Sequence, residues 1–104
     1  MGMIILWSDS ALADLEEIYD YYQGKASSIV ARDLVKAIIQ KTQILKSNPF
    51  VGIKEPLLYE RPDEYRYLIY KNYKIIYRSQ GDLIIIITVF DSRQDPIRIK
   101  GLQG

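Results

Sequence analysis

The sequence predicts a single-domain α+β fold: a strand, a two-helix antiparallel hairpin and a three-stranded antiparallel meander, in the order βααβββ. Three observations predict it. Apolar residues recur at helical spacing from Ala11 to Leu45, the period shortens to two beyond Tyr65, and only Gly24-Lys25-Ala26 separates the two helical stretches. The 104 residues suit one core rather than two. Residues 3–100 are read as the domain, with Met1-Gly2 as an addition ahead of a native Met3 and 101–104 as a tail.

The first apolar stretch, Ile4 to Trp7, reads as a strand that hands over to a helix at Ser8-Asp9-Ser10, three residues that cap helix N-termini well. Ala11, Leu15, Ile18 and Tyr22, with Leu12 and Tyr19 beside them, form the apolar stripe of helix one, and Gly24 is expected to stop it. Its acids Asp9, Asp14, Glu16 and Glu17 lie toward the N-terminal end, where the macrodipole favours negative charge. Helix two is expected from Ser27 or Ser28 to Ser47, with Ala31, Leu34, Val35, Ile38, Ile39 and Leu45 on one stripe. Asn48-Pro49 ends it, because the residue before a proline resists the α region. Residues 48–64, punctuated by Pro49, Gly52, Pro56 and Pro62, read as a long irregular connection, a type of loop that often carries function.

Beyond it, Tyr65–Lys71, Tyr73–Ser79 and Leu83–Phe90 read as strands joined by turns at Lys71-Asn72 and Gln80-Gly81. Pro96-Ile97-Arg98-Ile99 is read as a short edge strand. Alternation then sorts the side chains. Arg66, Leu68, Tyr70, Tyr73, Ile75, Tyr77, Ile84, Ile86, Thr88 and Phe90 fall on one face. Tyr65, Tyr67, Ile69, Lys74, Ile76, Arg78, Leu83, Ile85, Ile87, Val89 and Asp91 fall on the other, which is the better working surface because it gathers two central bases and two tyrosines.

Composition excludes much chemistry. The chain has no His and no Cys, so thiolate nucleophiles, disulfides, zinc and iron–sulfur centres and His general bases are ruled out. No metal and no cofactor is called for. The longest apolar run, Leu83 to Phe90, is far short of the ~20 residues of a membrane helix, so the chain reads as cytoplasmic, without a membrane partner. Charge is polarised. Residues 1–24 hold Asp9, Asp14, Glu16, Glu17 and Asp20 and no base, whereas 61–104 hold eight bases against five acids, a balance of +3. Such a field is able to hold an anionic partner against the C-terminal half, although similar splits arise in ordinary solvated proteins without a partner.

The remaining chemistry belongs to Arg, Lys, Tyr, Asp and Glu, which together are able to stabilise a pentacoordinate phosphate and move protons. Lys74 and Arg78 fall on the working face, and five of the nine tyrosines (Tyr65, Tyr67, Tyr70, Tyr73, Tyr77) crowd one hairpin with Arg66 and Lys71. Such aromatic and basic surfaces stack bases and pair phosphates, although tyrosine is equally an ordinary strand residue. Tyr19, Tyr21 and Tyr22 go round helix one, so at least one should be exposed at an interface.

Several segments together resemble the RelE/ParE superfamily of bacterial type II toxin–antitoxin, or plasmid-stabilisation, toxins. They are Trp7-Ser8, Ala13-Asp14-Leu15-Glu16-Glu17-Ile18 with Tyr21-Tyr22, Leu45 and Asn48-Pro49 with Gly52, Arg66, Asn72 to Arg78, and Val89 to Pro96. The resemblance implies a growth-inhibiting toxin neutralised by a cognate antitoxin, as a homodimer or in a toxin–antitoxin heterotetramer. Its branches differ in target: ParE-like members inhibit DNA gyrase, and RelE-like members cut mRNA on the ribosome. By position, the RelE-type cations fall on Lys74 and Arg93, and two RelE-type lysines are replaced by Tyr65 and Tyr67. No catalytic Tyr follows Pro96, and the histidine of many ParE-like members is replaced around Asp91. The reading therefore leans to gyrase inhibition and away from an enzyme. Alternatives are a ribosome-dependent endoribonuclease and a non-toxic antitoxin-binding corepressor. Arg66, Lys74, Arg78, Arg93, Tyr65 and Tyr67 are expected to bind the target; Lys74, Arg78 and Arg93 would be catalytic if the chain were a nuclease; Tyr19, Tyr21 and Tyr22 are expected to meet the antitoxin.

Overall fold

The computed structural model describes residues 2–93 and residue 101. The chain runs β1 (Ile4–Trp7), α1 (Asp9–Lys25), α2 (Ser28–Thr42), a 3-10 turn (Gln43–Lys46), β2 (Ile53–Lys54), a second 3-10 turn (Pro56–Leu58), β3 (Tyr65–Tyr70), β4 (Tyr73–Gln80) and β5 (Leu83–Asp91). One sheet in the order β1-β5-β4-β3-β2 carries the helical hairpin on one face. β1 runs parallel to β5 and every other pair is antiparallel. The expected α+β order is present with one strand more, β2, inside the connection read as irregular. Its two residues are both exposed and too few to show a period. The strand read at Pro96–Ile99, the lack of a tyrosine after Pro96 and the tail at 101–104 lie, residue 101 apart, outside the described residues.

Both helices start as their sequences indicate. Ser8 Oγ accepts from the Ala11 N–H at 3.0 Å and Ser27 Oγ from the Val30 N–H at 3.1 Å, each satisfying an orphan donor of the first turn. Gly24, expected to stop α1, lies within its last turn; the cap is Ala26, whose N–H donates to the Tyr22 carbonyl at 2.8 Å. α2 gives way at Thr42 to the 3-10 turn, ahead of Asn48-Pro49, so the helical stretch ends in a tighter coil than expected. Ala11, Leu15, Ile38 and Leu45 pack from the helices onto Leu68, Ile75, Tyr77, Ile84, Ile86 and Val89 of the sheet. Among the described residues no helix is long and apolar enough to cross a membrane.

Register corrects the expected faces. The first hairpin pairs Tyr70 with Tyr73 around Lys71-Asn72, Lys71 taking φ 54°; the second pairs Gln80 with Leu83, so its turn is Gly81-Asp82, one residue later than expected, with Gly81 at φ 59°. That shift keeps Ile84 and Ile86 on the helix side. A bulge between Ile76 and Tyr77 on the β4–β5 ladder then leaves Ile87 without a partner and reverses the remainder of β5. Val89 pairs with Ile75 and Asp91 with Tyr73, both toward the helices, while Phe90 joins the opposite face. Helix α1 and its N-cap serine satisfy the groups freed there. Ser8 Oγ donates to the Ile87 carbonyl at 2.9 Å, and Asp14 Oδ2 accepts from the Val89 N–H at 3.0 Å and from the Thr88 hydroxyl.

Candidate functional site

Residues 49–58 form a strap around the β3 edge. It begins on the helix side, where the Tyr77 hydroxyl donates to the Pro49 carbonyl at 2.8 Å and accepts from the Gly52 N–H at 3.0 Å. A Cβ on Gly52 would stand 2.6 Å from that hydroxyl and 2.8 Å from the Tyr67 carbonyl, so only glycine fits. Arg66 adds bonds to the Gly52 and Phe50 carbonyls at 2.8 and 3.3 Å, lies over the Phe50 ring and pairs with Glu64 at 2.9 Å. The Lys54 and Arg66 cations hold the Glu64 carboxyl below its usual range.

The strap then crosses to the face away from the helices. There Leu57 and Leu58 cover Tyr65, Ile76, Ile87 and Phe90. Glu55, with 0% of its surface exposed, takes the Lys74 ammonium at 3.1 Å and the Leu57 N–H at 3.2 Å. Lys74 also stands 4.3 Å from the centre of the Tyr67 ring. The working face expected from alternation is thus half roofed: Tyr65 is buried, Lys74 is held by an acid, and Tyr67 forms its aromatic floor. Arg78, opposite Tyr65, donates to the Gln80 side chain at 2.8 Å.

A second concavity lies on the helix side, between α1 and the end of β5. It is an open cleft of about 430 Å³ lined by Asp14, Glu17, Ile18, Tyr21, Tyr22, Tyr73, Val89, Asp91 and Arg93. Arg93 grips Asp91 with two bonds, Nε to Oδ1 at 3.0 Å and Nη2 to Oδ2 at 2.8 Å. The Arg93 guanidinium holds the Asp91 carboxyl well below the usual carboxylate range, and Asp91 in turn pushes Arg93 further up. Burial, then the neighbouring Tyr22 hydroxyl, push the Tyr73 phenol well above its ordinary value.

The predicted residues therefore divide. Tyr21, Tyr22 and Arg93 share the cleft, whereas Tyr19 is half-buried and outside its lining. Lys74, Arg78, Tyr65 and Tyr67 share the opposite face. Arg66 belongs to the strap, where Glu64 pairs with it, and Asp14 serves the bulge. Sequence reasoning missed Glu55, Glu17 and the role of Tyr73. Only the bulge brings Asp91 round to Tyr73, and no local pattern announces a bulge. Glu55 had one legible signal, an acid directly before Pro56 inside an apolar connection.

A helical hairpin packed on one face of a five-stranded sheet is the fold of a RelE/ParE-type toxin. Over residues 5–96 the sequence matches the family model for the ParE toxin of the type II toxin–antitoxin system parDE, and the chain belongs to that family. Among solved structures it is similar to the chromosomal ParDE TA system from P. aeruginosa, with a TM-score of 0.72, 26% identity, and coverage of 86% of this chain and 95% of the other. No curated protein sequence matches it.

Proposed function

We propose that this type II toxin arrests growth by binding DNA gyrase, without cutting RNA, until a cognate antitoxin covers it. The observation that carries the reading is the state of its cations. Phosphodiester cleavage without histidine requires several cations to converge on one phosphate, and a single well-placed donor is worth about 3–4 kcal/mol in the transition state. Here Lys74 is bound to a wholly buried Glu55, Arg66 to Glu64 and Arg93 to Asp91, and Lys74 and Arg93 lie on opposite faces of the sheet. An arrangement of paired charges at a strapped edge suits a protein surface better than a phosphate. Lys74, Arg78 and Tyr67 would form the target-facing side with Arg66 at the strapped edge beside it, and Tyr21 and Tyr22 the antitoxin-facing side.

The test is induced expression followed by purified assays. Growth arrest with a DNA-damage response, and loss of supercoiling by purified gyrase, are expected. Cleavage of translated mRNA in a purified translation system, abolished by Lys74→Ala in a variant shown to be folded, would replace gyrase with the ribosome. No growth arrest at all would leave an antitoxin-binding corepressor.

A further inference from the structure

We propose that the cleft between α1 and the end of β5 receives a basic side chain of a protein partner, arginine in preference to lysine, from the antitoxin. The identity of that partner rests on the function proposed above; the chemistry of the cleft does not. Its volume of about 430 Å³ admits one long side chain with room for solvent. Its charge selects the sign. Three carboxylates (Asp14, Glu17, Asp91) face one guanidinium, Arg93, a balance of −2. Because Arg93 and Asp91 form a closed bidentate pair, the surplus rests on Asp14 and Glu17, and Glu17 has no partner among the described residues. The helix around it carries no base from Asp9 to Gln23. A phosphate would be repelled here.

The walls select the shape. Tyr21 and Tyr22 meet edge to face with centroids 5.0 Å apart, and Tyr21 is 58% exposed, which leaves ring surface open to a partner. Its ring already stands 5.9 Å from the Lys25 ammonium, so the position attracts cations within this chain. A planar guanidinium matches both features, since it stacks on an aromatic face and forks onto a carboxylate, whereas an ammonium does so only as a point charge.

The probe is N-acetyl-arginine methylamide, titrated into the full chain against its neutral isostere, the citrulline analogue, with tyrosine ring resonances read by NMR. Saturable shifts at Tyr21, Tyr22 and Tyr73 from the arginine compound, at least tenfold weaker from citrulline and reduced about fivefold by Glu17→Gln, are expected. Equal responses to the two compounds, or none, would overturn the proposal. So would shifts at these rings on replacing Arg98 and Lys100 by Gln with no compound added, which would assign the cleft to the chain's own bases. The antitoxin is tested separately: Glu17→Lys should weaken its complex at least tenfold and flatten the salt dependence, and an unchanged affinity would overturn the assignment of partner. Absence of growth arrest would count against the toxin reading alone, since the arginine titration needs no toxicity.

Discussion

Lys74 is the residue whose meaning changes most between sequence and structure. As a base on a central strand it reads as a target-binding residue of the working face. In the fold it is the sole cation paired, among the described residues, with a carboxylate that has no access to water. Removing one partner of a buried ion pair leaves the other uncompensated, which costs about 3–5 kcal/mol, whereas replacing both by apolar groups of similar shape is close to neutral. Lys74→Ala is therefore expected to lose about 3 kcal/mol, and Glu55→Leu combined with Lys74→Met to recover most of it. Urea unfolding of the parent and of both variants checks this. A single variant as stable as the parent would show that water reaches Glu55. The prediction also sets a condition on activity data: a loss of toxicity in Lys74→Ala carries functional meaning only where folding has been measured.

At the scale of elements, what was legible was what repeats. Two helical stripes, two capping serines and three period-two strands carry their own signatures, and their order follows from the short connections between them. What escaped has no period. β2 is two residues long, and the bulge at Ile87 sits in a run of isoleucines with nothing to mark the extra one. Because the face of every later residue depends on that one insertion, Val89, Phe90 and Asp91 were all placed on the wrong side, and with them the cleft. The strap shows the converse: Pro49 and Gly52 marked a loop, yet the partner that shapes it, Tyr77, is a core residue 25 positions from Gly52. Tyr77→Phe keeps the ring but orphans the Gly52 N–H and the Pro49 carbonyl, at a cost of about 1–3 kcal/mol. Gly52→Ala forces the strap off the sheet and should cost at least as much. Hydrogen exchange should speed up across residues 49–58 in both variants and stay unchanged in α1 and α2; uniform acceleration would mean that the strap is not a separable unit.

For the whole molecule, the absence of histidine and cysteine leaves no side chain whose ordinary pKa lies near neutrality, so carboxylates bound stability on the acid side and phenols on the alkaline side. The signs follow from the shifts. Asp91 and Glu64 are lowered in the fold, by Arg93 and by Lys54 and Arg66 respectively, so their contributions are complete above the ordinary carboxylate range and drain away as the pH falls through it. Tyr73 and Tyr77 are raised, burial being the first cause for each, so theirs are complete below the unfolded phenol value of about 10 and are lost as the pH rises beyond it. Each phenol that stays protonated in the fold while ionising in the unfolded chain removes about 1.4 kcal/mol per pH unit on that limb. Urea unfolding should thus give a plateau from about pH 5 to 9 with two falling flanks. Tyr73→Phe should make the alkaline flank shallower by about 1.4 kcal/mol per pH unit while leaving the acid flank where it was. An alkaline flank of unchanged slope would mean that Tyr73 ionises as readily in the fold as out of it, and that the phenol at the base of the cleft is open to solvent.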